Sequence, residues 1–308
     1  MQGLELNRLY FFEHGLPMLE KDFPHLLERL AAGLVGDGSE CFGFDDALSR
    51  DHDWGPGFCL WLGKDDFQKF GQALHNALDR LPQSYKGYGP RTQSQWGEGR
   101  VGVLCTEAFY QQYTGLEHPP QTLDQWLSLP ENTLAACTNG QVFLDRQGDF
   151  STWRQALLEF YPEDVRLKKI ASRCMTIGQS GQYNFLRCAK RGHVFSTLYS
   201  LVKFCADVLS LVFLLNRRYA PYYKWGHNAS KTLPILGSAI YEAVRELLLC
   251  QDINKQERLV EEISWLLVGE LRNQKLTDLG SDFLTDHGPR VQLRIQDPDL
   301  AARNVWVG

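Results

Sequence analysis

The chain has 308 residues, of which 44% are hydrophobic, 12% aromatic and 22% charged. This composition is typical of a globular protein with room for two cores, and it excludes disordered and collagen-like chains. With 37 acidic and 32 basic residues the net charge is −5. An acidic balance disfavours a broad groove for duplex nucleic acid, but it is compatible with a compact nucleotide pocket.

The eight cysteines are scattered singly, which is typical of buried thiols in a reducing cytoplasm. The first 22 residues carry several acidic side chains and lack the charge order of a secretion signal. The most apolar segment, 198–215, contains Lys203 and Asp207, whose charges are costly inside lipid. We therefore expect a cytoplasmic protein that does not associate with membranes, and a bundle helix at this segment.

The first half of the chain mixes helical and strand patterns. Apolar spacing and glycine-rich turns predict, in chain order, a helix over 16–34 that leads into the turn 33–39, a strand over 58–62, a helix over 65–81, a surface loop over 85–99 that can serve as a lid, a strand over 101–107 and a strand over 141–145.

From about residue 150 onward the apolar periodicity is helical, with helices predicted over 153–160, 165–175, 183–219, 233–250 and 256–274. The expected fold class is therefore α+β. We expect a small mixed-sheet domain with flanking helices over 1–150, an all-α helical bundle over 151–280 and a C-terminal tail over 281–308, whose structure the pattern does not define.

The chemistry-bearing motif lies in the first domain. Gly38-Ser39 is followed, after the eleven residues from Glu40 to Arg50, by Asp51-His52-Asp53. On an extended backbone residues i and i+2 project to the same side, so Asp51 and Asp53 can share one hard divalent cation, Mg²⁺ or Mn²⁺. A Gly-Ser turn at the start of a helix offers backbone N–H groups to the phosphates of a nucleoside triphosphate.

At these residues the sequence resembles the nucleotidyltransferase superfamily of DNA polymerase beta and kanamycin nucleotidyltransferase, whose signature is Gly-Ser, about ten residues, and Asp-x-Asp. This resemblance covers about residues 16–150. The segments 49–56 and 214–225 also resemble an uncharacterised bacterial family within the superfamily. The resemblance to that family would extend over nearly the whole chain. The resemblance implies a small nucleotidyltransferase core followed by a helical bundle.

Two features depart from the superfamily pattern. Arg50 separates Ser49 from Asp51, where a serine usually stands directly before the first aspartate. The segment Gly55-Pro56-Gly57 interrupts the strand expected after Asp53, because proline cannot donate a ladder hydrogen bond.

The superfamily normally adds a third carboxylate from a neighbouring strand, as a metal ligand or general base. Glu107 is the candidate, because it shares the parity of Val103 and Cys105, and Asp145 at the end of the next predicted strand is the alternative. If neither side chain approaches Asp51 and Asp53, the sequence favours a binding protein over a catalyst.

Two basic residues of the helical half are candidates for contacting the triphosphate. Lys224 follows two tyrosines. The superfamily resemblance suggests that a basic residue of the helical domain contacts the triphosphate, and Lys224 is a candidate for it. Alternatively, Lys224 can be a solvated lysine that covers aromatic surface. Arg191 belongs to a basic cluster with Arg187, Lys190 and His193, which can equally be an exposed helix face.

The sequence therefore predicts metal-dependent transfer of a nucleoside monophosphate from a triphosphate to a hydroxyl of an unidentified small molecule or protein. Two alternatives remain open. The first is a non-catalytic nucleotide-sensing or partner-binding protein that kept the fold. The second is an antitoxin-like enzyme that modifies a partner protein.

Overall fold

The computed structural model describes residues 1–92, 94–95, 97 and 99–308. By its internal contacts the chain forms two compact units. Unit 1 comprises residues 1–119 and 133–159, and unit 2 comprises residues 120–132 and 160–308. Residues 281–308, which the sequence pattern left undefined, contain helices and belong to unit 2.

Unit 1 contains a four-stranded sheet of β1 (Leu30–Leu34), β2 (Cys59–Leu62), β3 (Gly102–Cys105) and β4 (Gln141–Asp145). The strand order is β3-β2-β1-β4. β1 pairs antiparallel with β2 and β4, whereas β2 and β3 are parallel. β1 therefore ends where the other three strands begin. We call this end of the sheet the Gly38 end, and the opposite end, where β2, β3 and β4 terminate, the Glu107 end.

Helices cover both faces of this sheet, which is why every residue of β1 and β2 is buried. One face carries Leu30, Leu60 and Val103 and packs in a single apolar cluster with the N-terminal helices. On the other face Trp61 stacks on Phe150 at a centroid distance of 4.0 Å. The helices of unit 1 are α1 (Gly3–Tyr10), α2 (Leu16–Asp22), α3 (Ser39–Phe42), α4 (Lys64–Leu78), α5 (Thr106–Thr114) and α8 (Asp149–Leu158).

The strand and helix predictions around β2, α4, β3 and β4 are confirmed to within a few residues. The single helix expected over 16–34 is wrong, because α2 ends at Asp22 and a short 3₁₀ turn begins at Pro24. Residues 30–34 instead form the central strand. The small residues Ala31, Ala32 and Gly33 let other elements approach both faces of this strand closely.

Unit 2 is helical and is built around α9 (Glu163–Ile177), which is buried on nearly all sides. The other helices are α6 (Leu123–Ser128), α10 (Leu186–Lys190), α11 (Val194–Leu215), α12 (Tyr223–Ser230), α13 (Gly237–Leu249), α14 (Ile253–Asn273), α15 (Leu284–Gln292) and α16 (Pro298–Ala301), and α7 (Glu131–Thr138) starts here and continues into unit 1. The uninterrupted helix expected over 183–219 is wrong, because the chain turns at Gly192 (φ +69°) before α11 begins.

The charged residues of α9 are buried with partners. Lys168 is fully buried, and its Nζ donates to the side-chain oxygen of Gln292 (2.7 Å) and to the carbonyls of Arg303 (3.1 Å) and Asn304 (2.8 Å). Arg166 donates to the carbonyl of Leu214 (2.9 Å) and to Glu163 (2.9 Å). A buried charge is tolerated only with such partners, so α9 ties the C-terminal segment and α11 into one unit.

α11 is long and apolar enough, by length and composition, to cross a membrane, with a mean hydropathy of 1.9. Half of that apolar window is buried inside the protein, including Phe204 and Leu211. The same test is passed by core helices of globular proteins, so this feature is weak evidence for a membrane span.

The close approach at Gly33 gives a test of the sheet. A Cβ atom added there would lie 2.5 Å from the carbonyl oxygen of Gln141, at the register shift between β1 and β4. We expect Gly33→Ala to lower the free energy of unfolding by about 1–3 kcal/mol, because the obstacle is backbone. In α14 nothing lies within 4 Å of a Cβ added at Gly269, so Gly269→Ala should raise stability by about 0.5–1 kcal/mol.

Urea denaturation of both variants measures the difference. Equal stability of Gly33→Ala and the parent chain would show that β1 and β4 do not approach as closely as the structure has them.

Candidate nucleotide site

The turn after β1 depends on two glycines in conformations that other residues rarely adopt. Gly36 has φ +122° and Gly38 has φ +143°. The N–H of Gly36 donates to Oδ1 of Asn139 (2.9 Å), and the N–H of Asp37 donates to the hydroxyl of Tyr113 (3.2 Å). α3 begins at Ser39 without a side-chain cap, and among the described residues the N–H of Ser39 has no acceptor. A Gly-Ser turn thus opens a short helix, as the sequence predicts.

The two aspartates follow at the same end of the sheet but in different surroundings. The expected extended backbone is absent, since Asp51 has helical angles (φ −72°, ψ −33°) and Asp53 has φ +52°. The side chain of Asp51 is 66% exposed and lies 2.8 Å from Nδ1 of His52. The side chain of Asp53 is only 4% exposed. The two carboxylates therefore do not form the convergent pair that an extended chain would produce.

Both carboxylate oxygens of Asp53 accept hydrogen bonds from the loop before β3. The N–H of Ser94 donates to Oδ1 (2.8 Å) and its hydroxyl to Oδ2 (2.6 Å). Arg100 lies 3.4 Å from Oδ2. A Cβ added at Gly97 would fall 1.8 Å from Oδ1, so only glycine fits against this carboxylate.

These contacts determine the ionisation of Asp53. Burial alone would raise the pKa of this carboxyl, but the hydrogen bonds from Ser94 and the charge of Arg100 outweigh it and lower the pKa below its usual value. Asp53 is therefore ionised at neutral pH.

A second buried ion pair lies beside Asp53. Nη1 of Arg91 donates to Glu40 (3.0 Å) and to the carbonyl of Asp53 (2.6 Å), and Nη2 donates to the carbonyl of Gly55 (3.1 Å). The side chains of Arg91 and Glu40 are 8% and 4% exposed. Nε of Arg91 is buried and has no partner among the described residues.

Glu107 and Asp145 lie at the other end of the sheet. Glu107 is in the first turn of α5, where it accepts from Sγ of Cys105 (3.0 Å) and from the N–H of Lys64 (3.5 Å). Asp145 accepts from the N–H groups of Gly148 (2.8 Å) and Ser151 (2.7 Å) at the start of α8.

The register explains the separation. Leu62 pairs with Cys105 at the Glu107 end, whereas Cys59 pairs with Gly102 at the Gly38 end. Three residues of strand span about 10 Å, and the carboxylates lie beyond the strand ends. A cation bound about 2.0–2.6 Å from each oxygen cannot reach both Asp53 and either of these carboxylates. The structure thus does not bring Glu107 or Asp145 to the aspartate pair.

No three His, Cys, Asp or Glu side chains are grouped to hold a metal ion within the described ranges. Glu98, a further carboxylate of this loop, lies outside the described residues, as do Gln93 and Trp96.

The basic candidates Arg191 and Lys224 both belong to unit 2. Arg191 is exposed in the turn after α10, and Lys224 is exposed at the start of α12 with Nζ 5.6 Å from the ring of Trp225. The latter contact fits a solvated lysine that covers aromatic surface. Contact of either residue with a nucleotide stays a prediction.

Two cavities adjoin the Gly38 end. The larger, about 530 Å³, is lined by Asp53, Arg91, His75 and the aromatic rings of Tyr10 and Phe58, among others. The smaller, about 270 Å³, includes Asp37, Arg100 and Tyr113 in its wall. Gly99 lines both, so the loop before β3 separates them.

Sequence reasoning missed Glu40, Arg91, Ser94 and Arg100. Glu40 directly follows the Gly-Ser motif, and its position was a usable signal. The other three belong to a polar loop without periodicity, and nothing in the sequence distinguishes them from solvated loop residues.

Comparison with known proteins finds similarity to a family model and to a solved structure. A family model described as a domain of unknown function (DUF4037) matches residues 126–226, about a third of the chain. The solved structure of a nucleotidyltransferase-like protein from Exiguobacterium sibiricum 255-15 is similar at 10% identity, with a TM-score of 0.37, over 88% of this chain and 77% of that one. No curated protein matches.

The unequal environments of the two aspartates give a test. Asp53→Asn should lower the free energy of unfolding by about 1–3 kcal/mol, because the bonds to Asp53 are charge-assisted. Asp51→Asn should change it by less than about 0.5 kcal/mol, since Asp51 is exposed.

The pH dependence has a definite sign. The pKa of Asp53 is lower in the folded state than in the unfolded state, where it is about 4. The stabilising contribution of Asp53 to the free energy of unfolding is therefore fully present above about pH 4 and is lost as pH falls through the folded pKa. Denaturation of the parent and of Asp53→Asn is measured from pH 7 to pH 3. The difference between their free energies of unfolding should shrink below about pH 4. A difference independent of pH would contradict this assignment.

Proposed function

We propose that this chain binds a nucleoside triphosphate at the Gly38 end of its sheet, and that it acts by binding rather than by nucleotidyl transfer. The observation that carries this proposal is the pairing of the carboxylates at this end. Arg100 and Ser94 engage Asp53, and Arg91 engages Glu40. Guanidinium groups here neutralise carboxylates that a catalytic site would direct at a divalent cation.

The backbone turn supports phosphate binding. Positive φ values at Gly36 and Gly38 shape the turn, and the N–H of Ser39 is unpaired among the described residues. Consecutive backbone N–H groups in such turns form anion-binding concavities. The turn alone is common, so the neighbouring arginines are needed to make it selective.

Arg91 provides that second feature. Its side chain is more than nine-tenths buried, it lines the 530 Å³ cavity, and its Nε has no described partner. An unpaired buried donor costs free energy, and a ligand acceptor would satisfy it. The cavity has the size of a small-molecule site, and its aromatic residues Tyr10 and Phe58 suit a nucleobase.

The local charge implies that the nucleotide arrives with its own cation. Asp37, Glu40, Asp51 and Asp53 oppose Arg50, Arg91 and Arg100 here, so carboxylates outnumber guanidinium groups by one. A bare triphosphate would be repelled by this balance. We therefore expect the magnesium or manganese complex to bind, with the metal held by the phosphates. The described side chains do not fit a three-carboxylate metal site.

Two substitutions of Ser39 test the backbone contact. Ser39→Pro removes the N–H at the first position of α3, where proline fits, and Gly38 has the extended ψ of 141° that suits a residue before proline. Ser39→Ala removes only the hydroxyl. Triphosphates with Mg²⁺ should stabilise the parent and Ser39→Ala by about 1–3 kcal/mol at saturation, and should stabilise Ser39→Pro much less.

Thermal unfolding with each of the four ribonucleoside triphosphates measures these shifts. Arg100→Gln should also weaken the response, whereas Arg80→Gln, on the exposed turn after α4, serves as the matched control. Absence of any thermal shift in the parent would refute nucleotide binding. If triphosphates stabilise Ser39→Pro as much as the parent, the phosphates do not bind at this turn.

Nucleotidyl transfer is the second candidate, favoured by one observation. Gly38, Ser39 and the ionised Asp53 lie at the same end of the sheet, in the order of the superfamily signature. Transfer would require the loop with Ser94 and Arg100 to release Asp53 and a third carboxylate to join it.

Pyrophosphate release separates the two candidates. The parent is incubated with each triphosphate, Mg²⁺ or Mn²⁺, and cell extract as the source of acceptors. The binding proposal expects no release above that of an Asp51→Asn, Asp53→Asn double variant. Release by the parent that this double variant lacks would establish transfer instead.

A further inference from the structure

Unit 2 contains a cavity of about 590 Å³ that the proposed nucleotide site does not use. Its wall is formed by residues 127–132, α9, α11 and residues 220–226, all of unit 2. Apart from Gly308, every lining residue falls within the segment 126–226 that the family model matches. The cavity therefore belongs to the part of the chain that this family defines.

Lys169 is the unusual residue of this cavity. Its side chain is buried. Among the described residues, Nζ contacts only the carbonyls of Leu127 (3.3 Å) and Leu129 (3.5 Å) and the ring of Tyr161 at 4.9 Å. An ammonium group has three donors and binds carbonyl oxygens best near 2.9 Å. Lys168, its neighbour in sequence, has three closer oxygen partners. Lys169 is thus a buried cation with room for a stronger acceptor.

The other charged side chains of the cavity, Arg173 and Glu131, pair with each other. Nη2 of Arg173 lies 3.6 Å from Glu131, and Nε donates to the hydroxyl of Ser210 (2.8 Å), which donates to Glu131 (2.9 Å). Nη1 of Arg173 also donates to the carbonyl oxygen of Gly308 (3.3 Å), whereas Lys169 forms no ion pair with a carboxylate among the described residues. Burial lowers the pKa of Lys169 to about 8, with Glu131 raising it and Arg173 lowering it.

The remaining wall is largely apolar. Leu129, Leu209, Phe213 and Pro221 line it, and Tyr223, 82% exposed, also contributes. The walls are apolar, and the buried Lys169 has no ion-pair partner among the described residues. Such a cavity matches an anionic group on a flat apolar body.

We propose that this cavity binds a small organic anion, whose carboxylate or phosphate pairs with Lys169 and whose flat body lies against Phe213 and Tyr223. This site is independent of the nucleotide site at the Gly38 end and would exist if that proposal failed. Carboxylate and phosphate share a group of negatively charged oxygens that can pair with Lys169. The experiment below determines which of the two headgroups binds more tightly.

Isothermal titration of the full chain with benzoate, phenyl phosphate, phenol and inorganic phosphate tests the proposal. At least one of the two aryl anions should bind about tenfold more tightly than phenol and than inorganic phosphate. Lys169→Met should weaken that binding by about tenfold or more, whereas Lys190→Met, an exposed lysine outside the cavity, should not. The headgroup is identified by comparing benzoate with phenyl phosphate: the one that binds more tightly carries the preferred headgroup.

Proton uptake supplies a readout that a structural role of Lys169 would not produce. An anion beside Lys169 should raise its pKa, so binding near pH 8 should take up a fraction of a proton, measured in buffers of different ionisation enthalpy. If Lys169→Met does not fold, the exposed Tyr223→Ser variant should still weaken the aryl anion and leave inorganic phosphate unchanged. Failure of both aryl anions to bind at millimolar concentration, or binding without proton uptake, overturns the proposal.

Discussion

The Gly38 end of unit 1 depends on one buried guanidinium group. Arg91 joins Glu40, which follows the turn after β1, to the backbone of Asp53 and Gly55, which precede β2. Burying such a charge is unfavourable unless hydrogen bonds satisfy it, and removing one partner would leave the other uncompensated. The conformation of three loops is therefore coupled through a single side chain.

This coupling explains why Asp53 differs from Asp51. Two residues apart, one is nearly inaccessible and the other mostly exposed, because the positive φ of Asp53 turns its side chain towards the loop of Ser94. A left-handed backbone at a residue other than glycine is uncommon and persists where surrounding contacts impose it. Here the contacts are the hydrogen bonds from Ser94 and the packing of Gly97 against the carboxylate.

In unit 2 the corresponding constraint is the burial of the consecutive residues 165–172 of α9. Arg166, Lys168 and Lys169 all lie on this helix with little exposure, but their partners differ in quality. Lys168 is saturated by three oxygens and holds the C-terminal segment. In the part of the chain that the structure describes, Lys169 has only acceptors at 3.3 Å and 3.5 Å. Within one helix, the same residue type has close oxygen partners at one position and weaker ones at the next.

The amino-acid pattern by itself determined the fold class and several of the elements. Alternation and helical spacing are local properties, so β2, α4 and β4 were predictable. The Gly-Ser turn at the start of a helix was predictable for the same reason, since glycine at Gly36 and Gly38 permits a backbone that other residues disfavour.

Only the tertiary structure decided which carboxylates meet. The strand directions send Glu107 and Asp145 to the opposite end of the sheet from Asp53, and pairing direction depends on distant parts of the chain rather than on local pattern. The partners of Asp53 come from an aperiodic loop about 40 residues later in the chain, so neither Arg91 nor Ser94 had a sequence signal. The sequence states which side chains are charged. Which of them neutralise each other depends on their distances in space, and only the folded structure determines those distances.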